Sequence, residues 1–267
     1  MTGAPISELV ARLRAAGCVY AEDEARMLVE TAASPADLEN MVASRIAGLP
    51  LEVVLGWVEF DGLRLVVEAG VFVPRRRTET LVLCANDLDL AGRTVVDLCC
   101  GLGAVGAALL NRNATIELYA ADIDPVAVHN ARRNLEPQRV FEGDLFAALP
   151  PELLGTVDVI VANAPYVPTA SIEMMPREAR LFEAVVALDG GADGLDLHRR
   201  IVADAARWLA PAGHLLIESS ERQAPATAEL FERAGFTARI VHNDELDGTV
   251  VVGSGLVGTA ETPALRQ

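Results

Sequence analysis

The stretch TVVDLCCGLGAVGAALLNR, residues 94–112, decides the fold. Its opening, TVVDLC (94–99), is an apolar run broken by one aspartate, the composition of a short buried strand. Its end, AVGAALLNR (104–112), is rich in good helix formers. Between them Gly101 and Gly103 let the backbone turn tightly and approach a ligand. Gly101-x-Gly103-x-x-Gly106 formally matches a nucleotide-binding fingerprint, and the helix that follows offers free N–H groups at its start.

Outward from this unit, strand and helix patterns alternate. Strands are expected at 116–122, 139–144, 157–163 and 213–219, with helices over 125–136 and 194–210. Such alternation predicts an α/β fold, a parallel sheet covered by helices on both faces. Two late runs, AGFTARIVHND and GTVVVGSG, predict an antiparallel edge. Upstream, residues 1–50 read as a small helical domain. Ser34 and Pro35 mark a helix start, and Gly17 and Gly48 mark helix ends. In GWVEFDGLRLVVE two alternating runs flank Asp61-Gly62, a strong hairpin signal. The expected organisation is a helical docking domain (1–50), a β-hairpin linker (51–77), a catalytic domain (78–257) and a flexible tail (258–267).

Composition limits the function. The net charge is −16, and all 22 basic residues are arginines. That balance disfavours broad nucleic-acid binding, which needs cations to neutralise phosphates. The four cysteines (Cys18, Cys84, Cys99, Cys100) have no metal-ligand spacing, so no metal is expected and reduced thiols suit a cytoplasmic protein. No apolar run reaches the roughly 18 residues of a membrane helix.

Three strand ends carry the ligand chemistry. Asp97 lies just before the loop Cys99-Cys100-Gly101-Leu102-Gly103, where it can order the loop and an aminoacyl group. Asp122, followed by Ile123, can hold both ribose hydroxyls. In GDLF, Asp144 and Leu145 can grip an adenine. This set favours S-adenosylmethionine over NAD as the cofactor. The fourth strand then ends abruptly in VIVANAPYVP (159–168). A plain loop or an active site built at the end of a strand would each explain this handover from an apolar run to an amide, a proline and a tyrosine.

At this point the chain resembles the release-factor glutamine methyltransferases (the HemK/PrmC family), whose hallmark after the fourth strand is Asn-Pro-Pro-Tyr. The similarity runs from about residue 45 to 253. It includes the hairpin, PRRRTE (74–79), VVDLCCGLGA, AADIDPVAVHNARRN, GDLFAALP, FEAVVALDGGADGLDLHRRIV and LAPAGHLLIE, in the family's order. The resemblance implies a class I S-adenosylmethionine-dependent methyltransferase domain with a Rossmann-like seven-stranded sheet. It implies methyl transfer to a glutamine side-chain amide of a protein, the Gly-Gly-Gln loop of a peptide-chain release factor. It singles out Asn163, Ala164, Pro165 and Tyr166 as catalytic and substrate-binding, Asn163 also touching the cofactor. Arg75, Thr78, Glu79 and Glu183 are expected near the substrate. The chain departs from the family pattern at Ala164 (usually proline), at Cys99 (usually glycine), in PRRRTE, and in IESS (217–220). Two other readings share these motifs: an amino-methyltransferase of a nucleic-acid base, and a module that binds the cofactor without turnover.

Overall fold

A computed structural model describes residues 6–175 and 177–255. The expected tail, 258–267, lies outside the described residues. Three helices open the chain: α1 (Ile6–Ala15), α2 (Ala21–Thr31) and α3 (Pro35–Ile46). Ser34 caps α3, accepting from the Asp37 N–H at 3.1 Å, with Pro35 in the first turn. Residues 51–55, grouped with the hairpin on sequence grounds, instead form a short helix, α4 (Leu51–Leu55). Gly56, at φ +78°, ends it. Leu55 joins Leu9, Leu13, Leu28 and Val42 in a core separate from the rest of the molecule.

The hairpin pairs β1 (Trp57–Phe60) with β2 (Leu63–Val66). Its turn residues Asp61 and Gly62 both have positive φ (49° and 74°), the backbone that an Asp-Gly two-residue turn requires. Asp61 also holds the Arg112 guanidinium with both carboxylate oxygens, at 2.7 and 2.5 Å, which fixes the turn to the next domain.

Downstream come α5 (Glu79–Asn86), β3 (Thr94–Leu98), α6 (Ala104–Arg112), β4 (Glu117–Asp122), α7 (Pro125–Asn134), β5 (Val140–Glu142) and β6 (Val157–Ala162). They are followed by α8 (Arg177–Phe182), α9 (Asp196–Trp208), β7 (Leu209–Ser219), α10 (Ala224–Arg233), β8 (Thr237–Asn243) and β9 (Gly248–Ser254). One seven-stranded sheet runs β5-β4-β3-β6-β7-β9-β8. It is parallel except at β9, which pairs antiparallel with both β7 and β8. Successive residues of the central strands feed opposite cores, as the two-residue period of a strand dictates. Val95, Val159, Val161 and Leu216 pack under the hairpin, α5 and α6. Val96, Ile160, Ala162 and Leu215 pack under α9 and α10. Strands buried on both faces explain the near-continuous apolar runs in the sequence.

The boundaries differ in two instructive places. β7 begins at Leu209, not Gly213, because the ladder to β6 shifts register between Val157 and Val159. Pro211, which lacks an N–H, lies within that irregular part. β6 stops at Ala162, so Asn163 has already left the sheet. Both parallel crossovers around β3 turn at the same end of the sheet, and the order reverses between β4 and β6. That arrangement opens a crevice at the carboxyl ends of these strands.

Candidate active site

The crevice is a cavity of about 510 Å³. Asp97, Cys99, Cys100, Gly101, Leu102, Asp122, Ile123, Asp144 and Leu145 line it. Asn163, Ala164, Pro165 and Tyr166 form another stretch of the same wall, with Arg75 and Thr78 beside them. Three expected residues stand off the wall. Gly103 takes φ +84° at the start of α6, and a Cβ there would lie 2.7 Å from the Leu135 side chain, so its part is to seat the loop on α7. Glu79, in the first turn of α5, accepts from the Asp61 N–H at 3.4 Å and so faces the hairpin. Glu183 lies in an adjoining groove between the helical domain and the sheet, where it pairs with Arg75 at 2.6 Å.

The loop after β3 owes its shape to specific contacts. Gly106 has no Cβ to strike Leu118, so α6 comes close enough for its N–H to donate to Asp97 Oδ2 at 2.9 Å. Cys99 adopts φ +55°, left-handed backbone that strains a side-chain-bearing residue. Asp122 accepts from the Gly101 N–H at 2.8 Å and from the Asp124 N–H at 2.9 Å, tying the ends of β3 and β4 together. Asp124 caps α7 through the Val126 N–H. Burial pushes the Asp97 carboxyl up to about 7, and it also raises Asp122. Burial pushes the Cys99 and Cys100 thiols up as well, away from thiolate chemistry. Asp144 forms an ion pair with Arg200 of α9 at 2.6 Å.

The donor set fits S-adenosylmethionine. The buried Asp97 and the half-buried Asp122 line the cavity with both carboxyls raised by desolvation, which a ligand carrying sulfonium and ammonium charge would offset. Among the described residues no group of three or more His, Cys, Asp or Glu side chains is placed to hold a metal.

The NAPY loop is held from behind by the segment 185–194. Val167 N–H donates to Leu188 O at 3.0 Å, and Gly190 N–H donates to Val167 O at 2.9 Å. A Cβ on Gly190 would sit 2.8 Å from Pro165 O, and one on Gly194 would collide with Tyr166 O. Gln223 closes the seam, its amide donating to Tyr166 O and Asp193 O, each at 3.0 Å. These contacts explain Gly190 and Gly194 in ALDGGADGL, where two chain segments lie against each other with no room for side chains, while Gly191, at φ +86°, leaves room for the Asp196 side chain.

Residues 62–194 match the family model described as "Methyltransferase small domain". The Geobacter sulfurreducens release factor glutamine methyltransferase is 37% identical over 201 residues, covering 74% of this chain and 70% of that protein. The Streptomyces coelicolor protein of the same name is also 37% identical, covering 77% and 75%. The chain belongs to the release factor glutamine methyltransferase family. Among solved structures, a methyltransferase from Pyrococcus furiosus has the same fold at 16% identity (TM-score 0.55), covering 72% of this chain and 89% of that one.

Within a release factor glutamine methyltransferase framework, the sequence reading missed Glu218, Arg77, Arg200 and Gln223. Glu218, at the end of β7, accepts from the Tyr166 hydroxyl at 3.2 Å and lies 3.5 Å from Arg77 Nε. Thr78 adjoins it and accepts from Asn163 Nδ2 at 3.2 Å. One signal for Glu218 was visible: a carboxylate ending the otherwise apolar run GHLLIE. Among the described residues no helix is long and apolar enough to cross a membrane.

Proposed function

We infer that this protein transfers a methyl group from S-adenosylmethionine to the side-chain amide nitrogen of a glutamine in a peptide-chain release factor, in its Gly-Gly-Gln loop. The observation carrying this reading is that Asn163–Tyr166 line the same cavity as the acidic ends of β3 and β4. The cofactor supplies an electrophilic methyl on a cationic sulfur. Asp122 would hold the ribose, Asp97 and the 99–103 loop the aminoacyl end, and Asp144 with Leu145 the adenine.

An amide nitrogen is a poor nucleophile because its lone pair is delocalised into the carbonyl, so catalysis rests on orientation. With Nδ2 donating to Thr78, Asn163 presents Oδ1 as its acceptor for one glutamine N–H. The carbonyl of Ala164 takes the other. Ala164 precedes Pro165, which biases its backbone toward extended conformations. Held at two points, the nitrogen can direct its lone pair at the methyl carbon. In that pose the donor would supply the methyl to the nitrogen while keeping the electron pair of its own C–S bond on sulfur, and the surplus nitrogen proton would pass to water. Helices α1–α4 and the groove bordered by Glu183 and Arg75 would dock the release factor.

The test is methyl transfer from labelled donor to purified release factors of the same source, with the modified residue located by peptide mass spectrometry. Label on the Gly-Gly-Gln glutamine is the expected result. Donor binding without label on any release factor would overturn the substrate assignment.

A further inference from the structure

We propose that Glu218 is a positioning residue for methyl transfer, a buried anchor holding the two side chains that flank the residue-164 carbonyl. It rests on the active-site reading above and assigns a role to a residue outside the NAPY motif.

The argument starts from the backbone. Residue 164 is an alanine, and no ring fixes its φ. Its carbonyl must nevertheless point in one direction to accept an amide N–H. The flanking side chains are both tied down, and both ties lead to β7. On one side, Tyr166 donates its hydroxyl to Glu218 Oε1 at 3.2 Å. On the other, Asn163 Nδ2 donates to the Thr78 hydroxyl at 3.2 Å. That hydroxyl, accepting from Asn163, keeps its own proton for a different acceptor, and the Glu218 carboxylate is its neighbour.

Glu218 itself is only 2% exposed. A carboxylate so placed is retained as an anion only where donors and a cation offset its lost hydration. Arg77 supplies the cation, its Nε 3.5 Å from Oε1. The groups facing Glu218 are therefore Arg77 and Thr78 from the turn before α5, and Tyr166 from the loop after β6. Burial raises its carboxyl above the ordinary range, while Thr78, Arg77 and Tyr166 pull it back. Ionised, it accepts from the Tyr166 hydroxyl on Oε1, and its buried Oε2, which has no hydrogen-bond partner among the described residues, is left for the neighbouring Thr78 hydroxyl to reach. Protonated, it would offer a donor and release one of the two hydroxyls.

The experiment uses the full chain and three variants: Glu218→Gln and Tyr166→Phe, which nearly keep side-chain volume, and Arg77→Gln, which removes the cation. Single-turnover and steady-state rates are measured on release factor from pH 5.5 to 8.5. Glu218→Gln and Tyr166→Phe are expected to lower kcat about tenfold or more, the cost of one charge-assisted hydrogen bond, with KM for the donor within about twofold. In Arg77→Gln the acid limb of kcat moves to higher pH, because the carboxyl loses its cation. In Glu218→Gln that limb disappears. A folded Glu218→Gln with kcat within about twofold of the parent overturns the proposal. So does a variant that loses thermal stability but keeps its kcat and pH profile. Exchange of the Asn163 side-chain amide protons, followed by NMR without any acceptor, reads the anchor independently. It should quicken in Glu218→Gln even if no release factor proves to be a substrate, so failure of the substrate reading and failure of this one are separable.

Discussion

At the scale of single residues, Asp97 shows how burial is used. It sits beneath the donor loop with its carboxyl pushed up to about 7, far above a solvated aspartate. Between the unfolded value near 4 and this folded value, the folded state binds the extra proton, so stability declines as pH rises through that window. A cationic donor reverses the balance by favouring the carboxylate. Donor affinity should therefore rise as pH climbs through about 7, with a proton released on binding below it. Calorimetry in buffers of different ionisation enthalpy will show that proton, and Asp97→Asn should bind more weakly at pH 8 and lose the pH dependence. Asp97, Asp122 and Asp144 were legible because acidic residues at the ends of successive apolar runs stand out along the chain. Glu218 and Arg77 were not assigned because their meaning depends on a meeting between segments far apart in sequence. A strand-end glutamate and an arginine run each look like ordinary surface until the fold brings them to 3.5 Å.

At the scale of elements, the hairpin was readable from Asp61-Gly62 alone, since only a few residue pairs accept positive φ twice in succession. The start of β7 was not, because a register shift beside Pro211 hides the first four residues from any two-residue alternation. α4 escaped for a related reason: its five residues are too few to display a helical period, and its N-cap position is Pro50, with no side-chain cap. The most consequential element is the glycine-bearing segment 185–194 behind the NAPY loop. Gly194 combines φ +78° with a backbone neighbour where a Cβ would go. Gly194→Ala should therefore cost about 2 kcal/mol or more, combining left-handed backbone strain with displacement of Tyr166. Chemical denaturation will give the stability loss. A fall in kcat with donor affinity retained would show that the damage passes to the NAPY loop and spares the donor end.

At the scale of the whole molecule, the sequence's division into a helical part, a hairpin and a doubly covered sheet says nothing of how such parts are fastened. α7 carries that fastening. Asn130 donates to Val66 O at 2.8 Å and accepts from the Glu68 N–H at 2.8 Å, so one amide ties down the outgoing strand of the hairpin. Asn134, one helical turn on, accepts from the Val66 N–H and donates to Val66 O and to Leu102 O, each at 2.9 Å. Asn134→Ala should cost about 1–3 kcal/mol, the range for leaving buried backbone groups unpaired. Donor binding should slow hydrogen exchange in residues 57–66 of the parent, and Asn134→Ala should abolish that slowing. Leu102 belongs to the loop proposed to hold the donor, and the hairpin adjoins the helices proposed to dock the release factor, so in that reading a single amide spans the two halves of the reaction. Thermodynamic reciprocity then links the two affinities: whatever factor the donor adds to the grip on the partner, the partner adds to the grip on the donor. Demethylated cofactor, lacking the sulfonium charge that Asp97 favours, would slacken that grip, and the spent donor and the finished protein would leave as a linked pair.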